Sequence, residues 1–187
     1  MQYITLGRTG LRVSRTAFGA LPIQRVSPEE AAYLLRKAYD HGVNFFDTAR
    51  GYTDSEEKLG HALADVRERI VIATKTSARD AATLDEQLGI SLRTLRTDYL
   101  DIYQFHNPDR LWAAEDAVYQ AAVAARQAGK IRRIGLTAQD EIKLPAEIVY
   151  IGKTAIASAR AKGRDEVRAV PREQHAAVAE AGHAPAA

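Results

Sequence analysis

The chain has 187 residues, of which 46% are hydrophobic and 27% charged, and its formal net charge is +2. This is the balance of an ordinary globular domain, and so small a charge gives no electrostatic reason to expect nucleic acid as a partner. The absence of cysteine excludes disulfides, thiolate chemistry and cysteine-ligated metal sites. The sequence contains no apolar run long enough for a signal peptide or a membrane span, so we expect a cytoplasmic protein without membrane contact.

A short β-hairpin is predicted first, because residues 2–6 and 11–14 have strand character and flank a turn that contains Gly7 and Gly10. A repeating unit of one strand and one amphipathic helix follows. Strands are predicted at residues 14–19, 43–47, 70–75, 99–105 and 131–137. Helices are predicted to follow the first four of them, starting after Ser27, at Ser55, at Thr83 and at about Ala113.

Capping residues support these helices. Ser27 is a good N-cap, Pro28 suits the first helical position, and Gly42 is a typical left-handed residue at the helix end. Asp54 and Thr83 are the candidate N-caps of the second and third helices.

Strands therefore recur about every 30 residues, and most of their residues are apolar, which is typical of a parallel sheet buried on both faces. Both a doubly wound sheet and a βα barrel fit this pattern, and periodicity alone does not choose between them. The pattern ends near residue 139. Residues 144–151 fit a strand or a helix, and we expect residues 140–187 to form a divergent, helical to disordered extension.

Polar side chains occur where three successive apolar strands end. Asp47 ends the second strand, Lys75 the third, and His106 follows the fourth, while Tyr52 lies in the loop after Asp47. The carboxyl ends of parallel strands face the same side, so these four side chains are expected to converge. Taken singly, each is more often a cap, a solvated charge or a packing residue. Their occurrence together favours a catalytic site.

The four residue types suit the reduction of a carbonyl by hydride, which needs a proton for the developing alkoxide. Tyr52 is the candidate acid. Lys75 is expected to lower the pKa of that phenol, and Asp47 to keep the lysine charged and oriented. His106 is expected to orient the carbonyl or to relay the proton.

Several segments resemble the aldo-keto reductase family. Residues 46–60 read Phe-Asp-Thr-Ala-Arg-Gly-Tyr-Thr-Asp-Ser-Glu-Glu-Lys-Leu-Gly, similar to the signature around the family's catalytic aspartate and tyrosine. Residues 72–75 resemble the lysine strand and residues 95–106 the histidine segment. Residues 6–14 resemble the N-terminal hairpin, and residues 129–137 the fifth strand. The resemblance covers residues 1–139 and implies a partial (β/α)8-type TIM barrel of about five βα units after the hairpin. It also implies NADPH as cofactor, and aldehydes or ketones as substrates.

The resemblance further assigns a cofactor site. Gly19 and Ala20 are implied to line the active site, Asp47 to lie near the nicotinamide ribose, and Thr137 to meet the nicotinamide carboxamide. Thr53 departs from the family, since many members have glycine there. Nothing after residue 139 resembles the glutamine, the aromatic platform and the basic residues that the family's later strands supply.

Two functions therefore stay open: an NADPH-dependent reductase with Tyr52 as general acid, or a catalytically inactive partial barrel that serves as a remnant or an interaction module. Five βα units cannot close an eight-stranded barrel, which usually takes about 250 residues. The first and fifth strands are therefore expected to present unpaired edges, through which the chain could self-associate.

Overall fold

The computed structural model describes residues 1–108, 112–137 and the short strand at 149–150. The predicted hairpin is confirmed. Strands β1 (Tyr3–Thr5) and β2 (Arg12–Ser14) pair antiparallel. Gly10 at φ 74° lets the chain turn back between them, in a conformation that costs glycine little.

The predicted parallel sheet is also confirmed, with six strands that lie side by side in chain order. They are β3 (Phe18–Gly19), β4 (Phe45–Asp47), β5 (Val71–Thr76), β6 (Leu100–His106), β7 (Ile131–Thr137) and β8 (Val149–Tyr150). The first of them is shorter than predicted, because Ser14 pairs with Tyr3 in the hairpin and not with the sheet.

Four α-helices connect the strands: α1 (Pro28–Asp40), α2 (Ser55–Leu63), α3 (Ala81–Thr94) and α4 (Ala117–Gln127). Ser27 caps α1 as predicted, with its hydroxyl accepting from the backbone N–H of Glu30 at 3.2 Å. Helix α4 starts four residues later than predicted, and α2 continues as a 3-10 helix over Ala64–Arg69.

The predicted cap of α3 is wrong, and the predicted cap of α2 has the right position but no side-chain capping bond. Helix α3 begins earlier than predicted, because the carboxylate of Asp80 and not Thr83 caps it, accepting from the backbone N–H of Thr83 at 2.9 Å. Asp54 makes no capping bond and instead pairs with Lys58 at 2.8 Å.

The two faces of the sheet have separate apolar cores. The larger core lies between the sheet and the helices, which pack on one another in chain order. The smaller core lies on the other face and consists of Val13, Phe45, Val71, Ala73 and Ile102. Val13 comes from the hairpin, so the hairpin covers the start of this inner face. A strand order without reversal and an inner face covered by a hairpin identify a partial βα barrel and not a doubly wound sheet.

One predicted edge of the sheet is wrong. The fifth strand of the parallel series, β7, is not at an edge, because Gly135 and Leu136 pair with Val149 and Tyr150 of β8. Strand β3 does lie at one end of the sheet. Apart from β8, the predicted extension over residues 140–187 lies outside the described residues. None of the helices in the described ranges is long and apolar enough to cross a membrane.

Candidate active site

The sheet brings the predicted polar residues to one rim. Asp47, His106 and Thr137 are the last residues of β4, β6 and β7, and Lys75 is the last but one of β5. The parallel register places His106 beside Thr137. The ends of neighbouring parallel strands meet at one edge of the sheet, so residues far apart in the sequence share one site. Asp47 and Lys75, for example, are 28 positions apart.

Lys75 and Asp47 form a buried ion pair at this rim. The Lys75 Nζ donates to Asp47 Oδ2 at 2.6 Å and to the backbone carbonyl of Thr48 at 2.6 Å. Burial raises the pKa of the Asp47 carboxyl above its usual value, and the Lys75 ammonium opposes that rise. The second carboxylate oxygen, Asp47 Oδ1, has no hydrogen-bond partner within the described part of the chain.

Backbone hydrogen bonds position Tyr52 next to this ion pair. After β4 the chain continues beside β5, since the N–H of Thr48 donates to Ala73 O at 2.8 Å and that of Arg50 donates to Lys75 O at 2.9 Å. It then turns, and the Lys75 Nζ lies 5.1 Å from the centroid of the Tyr52 ring. The phenol and the ammonium are therefore neighbours.

His106 completes the group. Its ring centroid lies 5.8 Å from that of Tyr52, with the two rings nearly perpendicular at 80°. Partial burial lowers the pKa of the His106 imidazole, and the positive charges of Lys75 and Arg79 lower it further. His106 is therefore in its neutral form at neutral pH, when one ring nitrogen donates and the other accepts.

A cavity of about 430 Å³ adjoins this group. Gly19, Asp47 and Tyr52 are among its lining residues, and most of the others are apolar side chains from the loop after β3 and from α1. An unpartnered buried acceptor in the same wall, Asp47 Oδ1, fits a ligand that offers a hydroxyl group. The site is thus compatible with the ribose of a nicotinamide cofactor.

The other two residues with a predicted cofactor role are placed differently. Ala20 is fully buried, and its backbone N–H donates to Asp47 O at 2.8 Å, so its position supports the strand end. Thr137 lies at the rim beside His106, and its hydroxyl accepts from the backbone N–H of Asn107 at 3.0 Å.

Sequence reasoning assigned no role to two residues of this region. The backbone carbonyl of Thr48 holds Lys75, and a carbonyl contact leaves no mark in a sequence. Glu56 is only 1% exposed, although it lies in the first turn of a helix, where an acidic residue is usually explained by the helix dipole.

Comparison with known proteins agrees with this geometry. The model of the aldo/keto reductase family matches residues 15–162. Aldo-keto reductase YhdN of Bacillus subtilis is 31% identical over 73% of this chain and 47% of its own. A 6-dehydroglucose reductase of Novosphingobium aromaticivorans is 32% identical over 79% of this chain and 55% of its own.

Among solved structures, the holo form of aldo-keto reductase AKR11C1 from Bacillus halodurans superimposes with a TM-score of 0.68 at 29% identity. The match covers 74% of this chain and 51% of that one. The chain thus spans about half the length of the curated relatives it matches. The buried lysine–aspartate pair beneath a tyrosine, the barrel-type sheet and the match to the family model lead to one conclusion: this chain belongs to the aldo/keto reductase family.

Proposed function

We propose that this chain carries the acid–base site of an NADPH-dependent reductase that converts an aldehyde or ketone to an alcohol, with Tyr52 as the general acid. One observation carries the proposal: the Lys75 ammonium pairs with Asp47 at 2.6 Å while lying 5.1 Å from the Tyr52 ring. That arrangement puts a fixed positive charge beside a phenol whose residue lines a cavity.

The charge makes the phenol a better acid. A free tyrosine has a pKa of about 10, too high for efficient proton donation near neutral pH. A neighbouring ammonium stabilises the phenolate that remains after the proton has left. Asp47 and the Thr48 carbonyl both accept hydrogen bonds from that ammonium, so they fix the lysine side chain in one position.

His106 is suited to orient the substrate. The ring centroids of His106 and Tyr52 lie 5.8 Å apart, so the neutral imidazole and the Tyr52 hydroxyl would both donate to the carbonyl oxygen of a substrate bound there. Two donors directed at one oxygen stabilise the negative charge that develops there during reduction.

The cofactor would be held on the Asp47 side of the site. Asp47 Oδ1 would accept from a ribose hydroxyl, Gly19 would form part of the cavity wall, and the Thr137 hydroxyl would meet the carboxamide. NADPH, when bound, supplies the hydride for the carbonyl carbon. The preference for NADPH over NADH, and a cytoplasmic location, are proposed from the family resemblance.

The test compares the purified chain with its Tyr52→Phe variant. NADPH affinity is measured by fluorescence titration, and reduction of a reactive aldehyde by the loss of absorbance at the cofactor's nicotinamide band. We expect unchanged cofactor affinity and a loss of turnover of about 10²-fold or more, the usual contribution of a general acid. Full activity of the variant would refute the role of Tyr52.

A second measurement addresses the inactive alternative. A ligand that binds the folded state raises the melting temperature. If millimolar NADPH leaves both the melting temperature and the fluorescence of the chain unchanged, the reductase proposal is wrong and the non-catalytic module is favoured.

A further inference from the structure

A second buried carboxylate lies behind the site, on the helix side of the sheet. Glu56 Oε1 accepts from the hydroxyls of Thr74 at 2.6 Å and Ser91 at 2.7 Å. Glu56 Oε2 accepts from the Arg50 guanidinium and from the hydroxyl of Thr94 at 3.2 Å. Arg50, Thr74 and Ser91 donate to this carboxylate and compensate for the removal of its charge from water, while Thr94 shares its one hydroxyl proton with the Ile90 carbonyl at 3.0 Å.

Arg50 connects this carboxylate to the turn that bears Tyr52. Its Nη1 pairs with Glu56, and its Nη2 donates to the backbone carbonyl of Thr53 at 3.1 Å. Its own backbone N–H donates to Lys75 O at 2.9 Å. The guanidinium therefore spans the turn from residue 50 to residue 53, with Tyr52 inside the span.

The turn needs such support because of its backbone. Thr53 has φ 44°, in the left-handed region that β-branched residues rarely adopt. A conformation of this kind costs free energy and persists only when its surroundings hold it in place. The Nη2 contact on the Thr53 carbonyl supplies a hydrogen bond at that point.

The same carboxylate also holds the strand of the lysine. Thr74 directly precedes Lys75 on β5, and successive side chains of a strand point to opposite faces. The Thr74 hydroxyl therefore reaches Glu56 among the helices, while the Lys75 ammonium reaches Asp47 within the barrel.

We infer that Glu56 and Arg50 are positioning residues, which together hold the Tyr52 phenol at its working distance from the Lys75 ammonium. The inference deepens the proposed function, on which it rests only for the statement that Tyr52 is the acid. Within the described part of the chain, Lys75 and His106 lie against the Tyr52 ring, and Asp47 lies beyond the lysine. The Glu56–Arg50 pair controls the distance between the Lys75 ammonium and the Tyr52 phenol.

A titration of Tyr52 distinguishes this positioning role from a purely structural one. A purely structural role would change the stability of the fold and leave the pKa of Tyr52 unchanged. If the turn relaxes, the phenol moves away from Lys75 and its apparent pKa rises. A retreat of 1 to 2 Å from a charge about 5 Å away lowers the phenolate fraction by roughly threefold, at the effective dielectric constant usual for protein sites. Loss of the Glu56 charge by itself would lower the pKa of Tyr52, because removing a nearby negative charge favours the phenolate.

The experiment uses the full chain with tyrosines labelled at the ζ carbon, whose NMR shift reports ionisation. The Tyr52 signal is assigned by its absence in Tyr52→Phe. Glu56→Gln removes the charge and keeps the shape. Arg50→Lys keeps the charge that faces Glu56 but cannot also bond the Thr53 carbonyl through a planar fork.

Asp101→Asn is the matched control. Asp101 is also fully buried, and it accepts from Arg67 at 2.8 Å, from Arg132 at 2.9 Å and from the backbone N–H of Ile72 at 3.0 Å. It lies near the start of β6, at the opposite end of that strand from His106. Its replacement is expected to destabilise the fold and to leave the Tyr52 titration unchanged.

We expect the apparent pKa of Tyr52 to rise in both Glu56→Gln and Arg50→Lys, and to stay at the wild-type value in Asp101→Asn. An unchanged or lowered value in the first two variants would overturn the inference. Should Glu56→Gln fail to fold, Arg50→Lys decides alone, since the Arg50 side chain is 23% exposed and its replacement keeps the charge. The activity of Tyr52→Phe tests the proposed function separately, because the titration requires no turnover.

Discussion

Replacing Lys75 with methionine removes one member of the buried pair and leaves the other without compensation. Lys75 and Asp47 are 1% and 4% exposed, so the pair is almost entirely shielded from solvent. The Asp47 carboxylate already has one oxygen without a partner, and the variant deprives the other oxygen of its 2.6 Å donor. An isolated buried carboxylate is then present in the folded state.

The expected loss in the free energy of unfolding is about 3–5 kcal/mol at neutral pH, the usual cost of breaking a buried pair from one side. This loss depends on pH. Burial already raises the pKa of Asp47 above its ordinary value of 3.8, and removal of the opposing lysine raises it further. The folded state then binds a proton that the unfolded state has released, so stability increases as pH falls from neutral toward 3.8.

Urea denaturation of the wild type and the variant between pH 4 and pH 8 measures this dependence. Lys58→Met is the matched control, because Lys58 is also buried but its acidic partner, Asp54, is 47% exposed on its side chain. Lys58 lowers the pKa of Asp54, so the deficit of the control should change only below about pH 3.8.

A double variant, Lys75→Met with Asp47→Asn, removes both charges and should recover part of the lost stability. Two results would refute this reasoning. One is a Lys75→Met deficit that does not shrink as pH falls from 8 to 4. The other is a double variant no more stable than Lys75→Met alone.

Two further predictions concern neighbouring features. The pKa of His106 lies below its ordinary value of 6.5, so the wild type should lose stability as pH falls below 6.5. In urea titrations His106→Gln should lose less stability over that range. Equal dependence of stability on pH in the two proteins would contradict this. Gly60→Ala should cost about 1–3 kcal/mol or more, because a Cβ there would meet the Thr94 carbonyl and lie 2.8 Å from the Leu95 Cα. Gly89→Ala in α3, where the added Cβ meets only the end of the Arg93 side chain, should be neutral or stabilising by thermal denaturation; equal effects at the two glycines would refute the packing argument.

Much of the fold follows from local patterns. The hairpin, the β7 bounds and the cap at Ser27 were predicted correctly, because hydrophobic period, turn glycines and capping serines act within a few residues of the chain. The rim of the candidate site was equally predictable. Each of its side chains follows an apolar strand, and parallel strands put their carboxyl ends on one edge.

The errors occur where two local patterns compete for the same residue or the same helix end. Ser14 was predicted both to end the hairpin and to begin the first strand of the sheet, and it pairs with Tyr3 in the hairpin. Thr83 fits a capping pattern, but the carboxylate of Asp80 accepts the hydrogen bond from the free Thr83 N–H and so caps α3. In both cases two local patterns were acceptable, and the hydrogen bonds of the folded chain show which one forms.

The sequence by itself determined which residues stand at the ends of the strands, since that depends only on the alternation of apolar strands and helices along the chain. Only the tertiary structure decided that Glu56 is buried, that its partners include Ser91, and that it supports the turn of Tyr52. Glu56 and Ser91 are 35 residues apart in the sequence, and each is a polar residue of the kind usually found at solvent-exposed helix positions. A contact of that kind exists only once the helices have packed, because it depends on which helix faces meet and not on the residues near it in the chain.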